Sequence, residues 1–224
     1  MICKNFKSQT AEDGLTPTLP DNGKFTGVDV GLINIIATSD EHYRDHPKCI
    51  RQTEYKIKKA QKTLSSKKKG LANYQRQKVK LARLHVKAAK QRADFLHKLS
   101  LWLVLNYAYI AFEKLHIPTM VKNPHLAKSI PDAGWGTLIR LVAYKSVMLR
   151  GSGGIERVDS SYTSQDCSEC GCRVPKTLAE RMHRCPQCGL EMDRDANAAR
   201  NIEQKAFADV RTKKVGPVPP ELQE

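Results

Sequence analysis

The sequence predicts an α/β fold that carries a basic pair of helices and a small cysteine-rich module. Two segments rich in β-favouring residues, 24–39 and 107–112, predict short strands. A long helical pattern over 54–106 lies between them, and two Cys-x-x-Cys-Gly units follow towards the C-terminal end. A length of 224 residues with 40% apolar content allows a substantial core in one domain with insertions, or in two small domains.

The first strand segment contains an acidic residue between glycines. Residues 24–39 predict two strands joined near 31–34. Side-chain alternation places Gly27, Asp29 and Gly31 on one face of the first strand. Glycines beside an acid would let a phosphate group approach the backbone closely, which favours a functional Asp29. Taken alone, however, a strand-end aspartate more often only caps a turn.

The next segment has the periodicity of two helices. The pattern begins near Glu54, pauses at Lys69 and Gly70, and resumes to about Asn106. An apolar stripe in the second helix predicts a buried seam, and its members are Leu81, Leu84, Ala88, Phe95, Leu99 and Trp102. Since the basic residues fall mostly off this stripe, we expect a helical hairpin over 51–106 with a cationic outer surface.

Positive charge is concentrated in this hairpin. The chain has a net charge of +15, and residues 51–100 hold 16 Lys and Arg against two acidic residues. Such a segment favours a nucleic-acid partner, because binding a polyanion releases its condensed counterions. A merely solvated helix face would normally interleave more acids with the bases. The predicted nucleic-acid contacts are Lys67, Lys68, Lys69, Arg76, Lys78, Lys80, Arg83, Lys87 and Lys90.

The apolar run after the hairpin predicts a central buried strand. A run this short is ambiguous between helix and strand, but its Tyr, Ile and Phe residues favour the strand. Glu113 directly follows 107–112, where a strand would emerge from the sheet. An acid at the carboxyl end of a strand is typical of a functional site in an α/β sheet, although a lone Glu there is usually solvated.

The C-terminal half predicts a helix over 137–150, a strand over 155–159 and a final helix from about 193 to 210. Asp195 falls in the first turn of the final helix, where the helix dipole favours negative charge. Asp193 is its close competitor, and either residue could simply cap the helix.

Two pairs of cysteines predict a closed metal site. Cys167 and Cys170 form one Cys-x-x-Cys-Gly unit, and Cys185 and Cys188 form the other, with fourteen residues between the pairs. Four thiolates complete a tetrahedral zinc site without an open position, so the predicted role is structural. Cys172 could compete as a ligand, whereas Cys3 and Cys49 have no partner by spacing.

The three acidic residues lie in separate segments and can converge only through folding. Magnesium prefers oxygen ligands and keeps several waters, so carboxylates gathered around a phosphate would suit it. The sequence therefore predicts a metal-dependent phosphodiesterase with Asp29, Glu113 and Asp195 as magnesium ligands.

Targeting and membrane signals are lacking in the sequence. The N-terminus has no apolar stretch of a signal peptide, and the longest apolar run, 99–112, is interrupted and too short to span a bilayer. We expect a cytoplasmic protein that has no membrane partner.

The quoted segments together resemble TnpB, the OrfB-type protein of bacterial insertion sequences, and the related type V CRISPR effectors. The acidic segments are similar to the three RuvC motifs of that family. The run 162–171, the second cysteine unit and the run 193–202 are the most characteristic parts. The resemblance extends from about Leu19 to Ile202.

This resemblance implies an RNase H-like (RuvC) mixed sheet with a zinc ribbon inserted before the last helix. The nuclease domain would comprise 24–160 and 191–210, and the ribbon 161–190. Residues 1–23 would be the remainder of an N-terminal wedge domain or linker, and 211–224 a disordered tail.

The implied activity is RNA-guided cleavage of DNA by a transposon-encoded endonuclease. Magnesium would be bound by the three acids and zinc by the four paired cysteines, with DNA and an element-derived guide RNA as partners. Full-length members carry a wedge-like domain and a helical recognition domain ahead of the first RuvC motif, so we expect an N-terminally truncated chain. The alternatives are a nuclease-inactive regulator that binds DNA or RNA, and an inert remnant of a mobile element.

Overall fold

A mixed five-stranded sheet with helices on both faces forms the centre of the protein. The computed structural model describes residues 19, 22–45, 48–115, 133–150, 155–177 and 180–214, without the side chains of 48–52 and 209–214. The elements in chain order are β1 (Phe25–Asp29), β2 (Asn34–Thr38), β3 (Tyr43–Asp45), α1 (Lys48–Ser65), α2 (Ala72–Asn106), β4 (Tyr109–Glu113), α3 (Trp135–Arg150), β5 (Ile155–Val158), β6 (Met182–Arg184), β7 (Glu191–Asp193) and α4 (Arg194–Lys214).

The strand order places two parallel strands side by side in the middle of the sheet. The order is β3-β2-β1-β4-β5. β1 is antiparallel to β2 but parallel to β4, and β4 is parallel to β5. Val28 on β1 pairs with Phe112 on β4, so the next residue on each strand, Asp29 and Glu113, reaches the same edge of the sheet.

Alternating side chains fill two separate cores. Val28, Ile110 and Phe112 are fully buried on the face covered by α2 and α3. Ala111 belongs to a second cluster on the opposite face, together with Ile202 of α4. Side chains alternate along a strand, so Glu113, two residues after Ala111, points to the same α4 face as Ala111. Asp29 lies beside Glu113 on β1 and points to that face as well.

The predicted strand and helix segments are confirmed, but three short strands, β3, β6 and β7, were not predicted. β1, β2, β4 and β5 lie within the predicted segments, except that β4 includes Glu113 itself. The three-residue strand β3 was not predicted, because 43–45 is polar and shows no apolar alternation. It adds to the edge of the sheet through antiparallel pairing with β2.

The two basic helices pack antiparallel to each other, and the predicted stripe of α2 is buried only in part, at Ala88 and Leu99. Gln77 of α2 donates a hydrogen bond to the Ala60 carbonyl oxygen of α1 (3.0 Å), and Thr53 donates to Gln91 (2.8 Å). The side chains that α2 buries most deeply in the sheet core are Leu96, Leu99, Leu103 and Val104. Phe95 and Trp102 of the predicted stripe are only partly buried, and α2 packs against α1 and α3.

Gly27 has a different role from the predicted one. A Cβ atom built on Gly27 would lie 2.0 Å from the Ala199 carbonyl oxygen and 2.5 Å from the Glu203 amide nitrogen, both in the backbone of α4. Ala196, Ala198 and Ala199 of α4 are fully buried, so these small side chains let the helix pack closely. Gly27 therefore admits a helix rather than a phosphate group.

Replacing Gly27 by Ala is expected to lower the free energy of unfolding by about 3 kcal/mol, because backbone atoms of α4 must move to make room. The midpoint of urea denaturation measures the change. Gly70→Ala is the matched control: its Cβ would meet nothing within 4 Å, so it carries only the strain of a φ of 88°, about 1 kcal/mol. If both variants lost the same free energy of unfolding, the packing role of Gly27 would be contradicted.

Several predicted boundaries shift in the structure: for example, α1 begins at Lys48 rather than near Glu54, and α3 begins at Trp135 rather than at 137. The hairpin of β6 and β7 ends at Asp193, so the predicted module end at 190 cuts through it. α4 runs to Lys214, four residues beyond its predicted end. Several parts of the sequence analysis lie outside the described residues: the predicted N-terminal remnant up to 18, Cys3, the side chain of Cys49 and the predicted tail after 214.

Among the helices of the described ranges, none has both the length and the apolar character that a membrane span requires.

Candidate functional site

Two of the predicted acids end neighbouring parallel strands. Asp29 is the last residue of β1 and Glu113 the last residue of β4, one position beyond the paired Val28 and Phe112. Adjacent strands lie about 4.8 Å apart, and both side chains point to the face of the sheet that α4 covers. Parallel pairing therefore brings together two acids that are 84 positions apart in the sequence.

The third predicted acid, Asp195, enters from α4. Its side chain is 13% exposed and forms ion pairs with Arg194 (3.1 Å) and Arg181 (3.7 Å). Asp193 has the capping role instead, because its Oδ1 accepts hydrogen bonds from the backbone amides of Asp195 (2.8 Å) and Ala196 (3.2 Å). Asp193 thus caps α4 in this structure, whereas Asp195 is the acid that the family motif favours for metal binding.

The charges of the other two acids act on Asp29. Loss of water around Asp29 raises the pKa of its carboxyl well above the usual value, and the negative charges of Glu113 and Asp195 raise it further. The Arg194 guanidinium lowers this pKa, as does a hydrogen bond from the Val30 backbone. A group of carboxylates that repel one another in this way is suited to bind a cation.

Glu113 is not the solvated strand end that a lone glutamate would usually be. It is 9% exposed, and its Oε1 accepts a hydrogen bond from the hydroxyl of Thr163. Burial raises the pKa of the Glu113 carboxyl, while the Thr163 hydrogen bond and the nearby Lys205 charge act in the opposite direction. The side chain is therefore held in one place within the protein.

The carboxylates are neighbours but do not form a ready-made single-ion site. Among the described residues, the set of three or more potential ligands whose atoms all lie within 4.8 Å of one another is made of cysteines. One ion would therefore not be bound by all three carboxylates in this arrangement. Two ions about 4 Å apart, each about 2 Å from its oxygen ligands, tolerate ligand separations of up to roughly 8 Å.

The four paired cysteines converge as predicted. Cys167 Sγ lies 3.6 Å from Cys188 Sγ, and Cys170 Sγ lies 3.5 Å from Cys185 Sγ. All four sulfur atoms lie within 4.8 Å of one another, so the group could hold a metal ion. Cys172 is close by but does not belong to this group.

The two cysteine units have the same backbone geometry. Gly171 donates a hydrogen bond from its amide to the Cys167 carbonyl oxygen (2.9 Å), and Gly189 does the same to Cys185 (3.0 Å). Both glycines have positive φ angles, 73° and 76°. A residue with a side chain rarely adopts this conformation, so the glycine after each unit is required by the turn. Hydrogen bonds from backbone amides, first that of Cys188, lower the pKa of the Cys185 thiol to about 6.

The cysteine module, residues 160–193, is bound to α4 by asparagine side chains. Asn197 donates to the Asp166 carbonyl oxygen (2.8 Å) and accepts from the Ser168 amide (3.0 Å). Asn201 donates to the carbonyl oxygens of Thr163 (2.8 Å) and Asp166 (2.7 Å). These buried amides connect the module to the helix that carries Asp195.

The predicted nucleic-acid contacts lie on the outside of α2 and in the turn that connects it to α1. Lys67 is partly buried, and the other eight are exposed. Lys80, Arg83 and Lys87 follow one another at intervals of three and four, so they share one face of α2. The structure leaves this cationic surface free of covering elements among the described residues.

Four residues of the site were not singled out from the sequence: Thr163, Arg194, Asn197 and Asn201. Three are buried polar residues, with exposures of 1% for Thr163, 0% for Asn197 and 7% for Asn201. All lie in the two runs that carry the family resemblance, 162–171 and 193–202. The sequence did carry a signal for Asn197 and Asn201: both are polar residues at helix positions where the periodicity leads one to expect apolar side chains.

Comparison with known families and proteins agrees with the resemblance. Residues 7–124 match the OrfB_IS605 family model, described as "Probable transposase". Residues 135–202 match a second family model, described as "Cas12f1-like, TNB domain".

Two bacterial relatives match most of this chain. A "Putative RNA-guided DNA endonuclease" of Streptomyces pristinaespiralis is 37% identical, over 88% of this chain and 48% of the relative. The "Putative RNA-guided DNA endonuclease InsQ" of Escherichia coli K12 is 33% identical, over 87% of this chain and 52% of the relative. The chain spans about half the length of these curated relatives.

The fold is also similar to that of a solved nuclease. In a cryo-EM structure of a Cas12f1–sgRNA–target DNA complex, the protein superposes with a TM-score of 0.59 at 16% identity. The match covers 83% of this chain and 50% of that chain. This likeness confirms an α/β architecture with a mixed sheet of the Cas12f1 type.

Proposed function

The chain belongs to the OrfB_IS605 family of probable transposases, and from this membership we propose that it forms the catalytic half of a transposon-encoded, RNA-guided DNA endonuclease. The observation that carries the proposal is the meeting of Asp29, Glu113 and Asp195 at the carboxyl edge of β1 and β4. The fold would be RNase H-like (RuvC), and cleavage of DNA in the presence of magnesium is the test.

The three acids would hold divalent magnesium. Carboxylates are the ligands that magnesium prefers. Burial raises the pKa of Asp29 and the charges of Glu113 and Asp195 raise it further, which supports a site where carboxylates lie close together. When bound, paired ions about 4 Å apart activate a water molecule and stabilise the departing 3′ oxygen of a phosphodiester. Asp29 and Glu113 would present fixed oxygens from the sheet, whereas Asp195 would approach from α4.

Arg194 supplies the counter-charge to Asp195 in this structure. Its Nε and Nη2 atoms lie 3.2 Å and 3.1 Å from Asp195 Oδ1, and its side chain is 14% exposed. A metal ion bound by Asp195 would compete with this guanidinium for the same oxygen. Arg194 would then either move towards the scissile phosphate or share the carboxylate with the ion.

The cysteine module would be a zinc ribbon. Zinc lies about 2.3 Å from each thiolate in a tetrahedral site, which places sulfur atoms roughly 3.8 Å apart. The observed separations of 3.5 Å and 3.6 Å fit this geometry. Four protein ligands leave no open position, so Cys167, Cys170, Cys185 and Cys188 would have a structural role.

The basic helices would bind the backbone of the nucleic acid. A sequence-independent cationic surface suits an enzyme in which base pairing with a guide RNA selects the target. The family relatives and the Cas12f1 complex, named for RNA-guided cleavage and for bound RNA and DNA, support DNA and guide RNA as partners.

Removing one charge from this surface is expected to reduce the salt dependence of DNA binding. For Lys87→Gln, the slope of log K against log salt should fall by about 0.9 with duplex DNA, since one phosphate contact is lost. Fluorescence anisotropy of a labelled duplex across a salt series measures the slope. Lys98→Gln is the control on the same helix, because its amine is paired with Asp94 at 2.7 Å. Equal slopes for the two variants would contradict a binding role for Lys87.

A further inference from the structure

Thr163 connects the cysteine module directly to the acid cluster. Its side chain is 1% exposed, and its hydroxyl lies between Glu113 Oε1, to which it donates, and the Ser160 carbonyl oxygen at 3.1 Å. Thr163 precedes the metal-site residue Cys167 by four positions. The module thus contributes a hydrogen-bond donor to a predicted magnesium ligand on β4.

The position of Thr163 is fixed by the same contacts that bind the module to α4. Asn201 donates to the Thr163 carbonyl oxygen and to that of Asp166, and Asn197 donates to Asp166 as well. The Asn197 side chain also accepts from the amide of Ser168, which directly follows Cys167. A continuous series of hydrogen bonds therefore runs from the first cysteine unit to Glu113.

A contact of this kind affects how a carboxylate binds a metal ion. Each carboxylate oxygen has two lone pairs, so Glu113 Oε1 can accept the Thr163 hydroxyl and still leave capacity for a cation. The hydrogen bond limits rotation of the carboxylate, which removes part of the entropy cost of binding. Partners that orient metal ligands in this way commonly change metal affinity by 10- to 100-fold.

We propose that Thr163 is a positioning residue, which sets the Glu113 carboxylate for metal binding and makes the metal affinity of the acid cluster depend on the folded cysteine module. The inference rests on the proposed nuclease function, because it takes Glu113 as a ligand of the catalytic metal. The module would thereby have a role beyond its own stability.

The test is manganese binding to the zinc-loaded full chain, followed by electron paramagnetic resonance, with manganese as the probe for magnesium. Thr163→Val keeps the shape of the side chain but removes the hydroxyl, and it is expected to weaken manganese binding roughly 10- to 100-fold. Thr163→Ser keeps the hydroxyl and should remain within about threefold of the wild type. Asn201→Ala, which removes the amide that holds the Thr163 carbonyl oxygen, should also weaken binding.

The inference would be overturned if Thr163→Val bound manganese as tightly as the wild type. It would also be overturned if Thr163→Val and Thr163→Ser lost the same amount of manganese affinity. Bound zinc and the circular dichroism spectrum show whether each variant is folded. If Thr163→Val fails to fold, Thr163→Ala provides the same comparison, since it also lacks the hydroxyl and adds no volume. A wild type that binds no manganese, or binds it as tightly after Asp29→Asn, would instead refute the acid site and with it the proposed function.

Discussion

Replacing Asp29 by Asn is expected to abolish magnesium-dependent cleavage of DNA, with a loss of at least about 10³-fold, while DNA binding stays within about twofold. Asn keeps the size of the side chain but removes the charge from a buried carboxyl, whose pKa is raised by burial and further by the charges of Glu113 and Asp195. A loss of this size corresponds to about 4 kcal/mol of transition-state stabilisation, which is reasonable for an impaired two-metal site. Single-turnover assays with magnesium on single-stranded and guide-paired DNA measure it.

Asp193→Asn is the matched control for this prediction. It removes the same charge beside the cluster, but Asp193 serves as the cap of α4 through its Oδ1, and Asn caps a helix equally well. We expect its cleavage rate to remain within about threefold of the wild type. Wild-type activity equal to that of a variant lacking all three acids would refute the nuclease. Salt-dependent binding without turnover would favour the regulator.

Replacing Cys185 by Ser is expected to remove the bound zinc and unfold the cysteine module. Structural zinc contributes about 10–16 kcal/mol in small zinc-binding peptides at neutral pH, and Cys185 is one of the two buried cysteines of the group. Elemental analysis should show zinc falling from about one ion per chain to near zero. Limited proteolysis should then cut within 161–193, and excess EDTA should have the same effect on the wild type.

The neighbouring Cys172 provides the control for the zinc prediction. It lies beside the first cysteine unit but outside the group of four sulfur atoms, so Cys172→Ser should retain the zinc and the protease resistance. Loss of zinc from Cys172→Ser would mean that the ligand set differs from the assigned one. If Cys185→Ser still bound about one zinc ion per chain, the four-cysteine site would be refuted.

Local features of the sequence predicted most of the secondary structure and the cysteine cluster. A Cys-x-x-Cys-Gly unit is a complete turn, so its spacing alone predicts where two sulfur atoms point. The strands β1, β2, β4 and β5 and the helices followed from residue type and periodicity over short windows. The family resemblance was equally local, because it depended on short motifs, and the family matches confirm it.

Contacts between distant segments could not be predicted in this way. The same pattern in β1 and β4 is compatible with several strand orders, and only the observed parallel register of Val28 and Phe112 brings Asp29 beside Glu113. Gly27 illustrates the same limit, since nothing near it in the sequence indicates that the backbone of α4 lies against it. Likewise, the predicted stripe of α2 did not include Leu96 and Leu103, which are buried where α2 packs on the core.

The sequence by itself determined most of the elements, the basic surface, the cysteine units and the three candidate acids, because each depends on residues that are close in the chain. Tertiary structure decided which acid caps α4, which acids share an edge of the sheet, and that Thr163 of the cysteine module reaches Glu113. These outcomes depend on strand order and helix docking, whose free energy comes from burying side chains that lie far apart in the sequence.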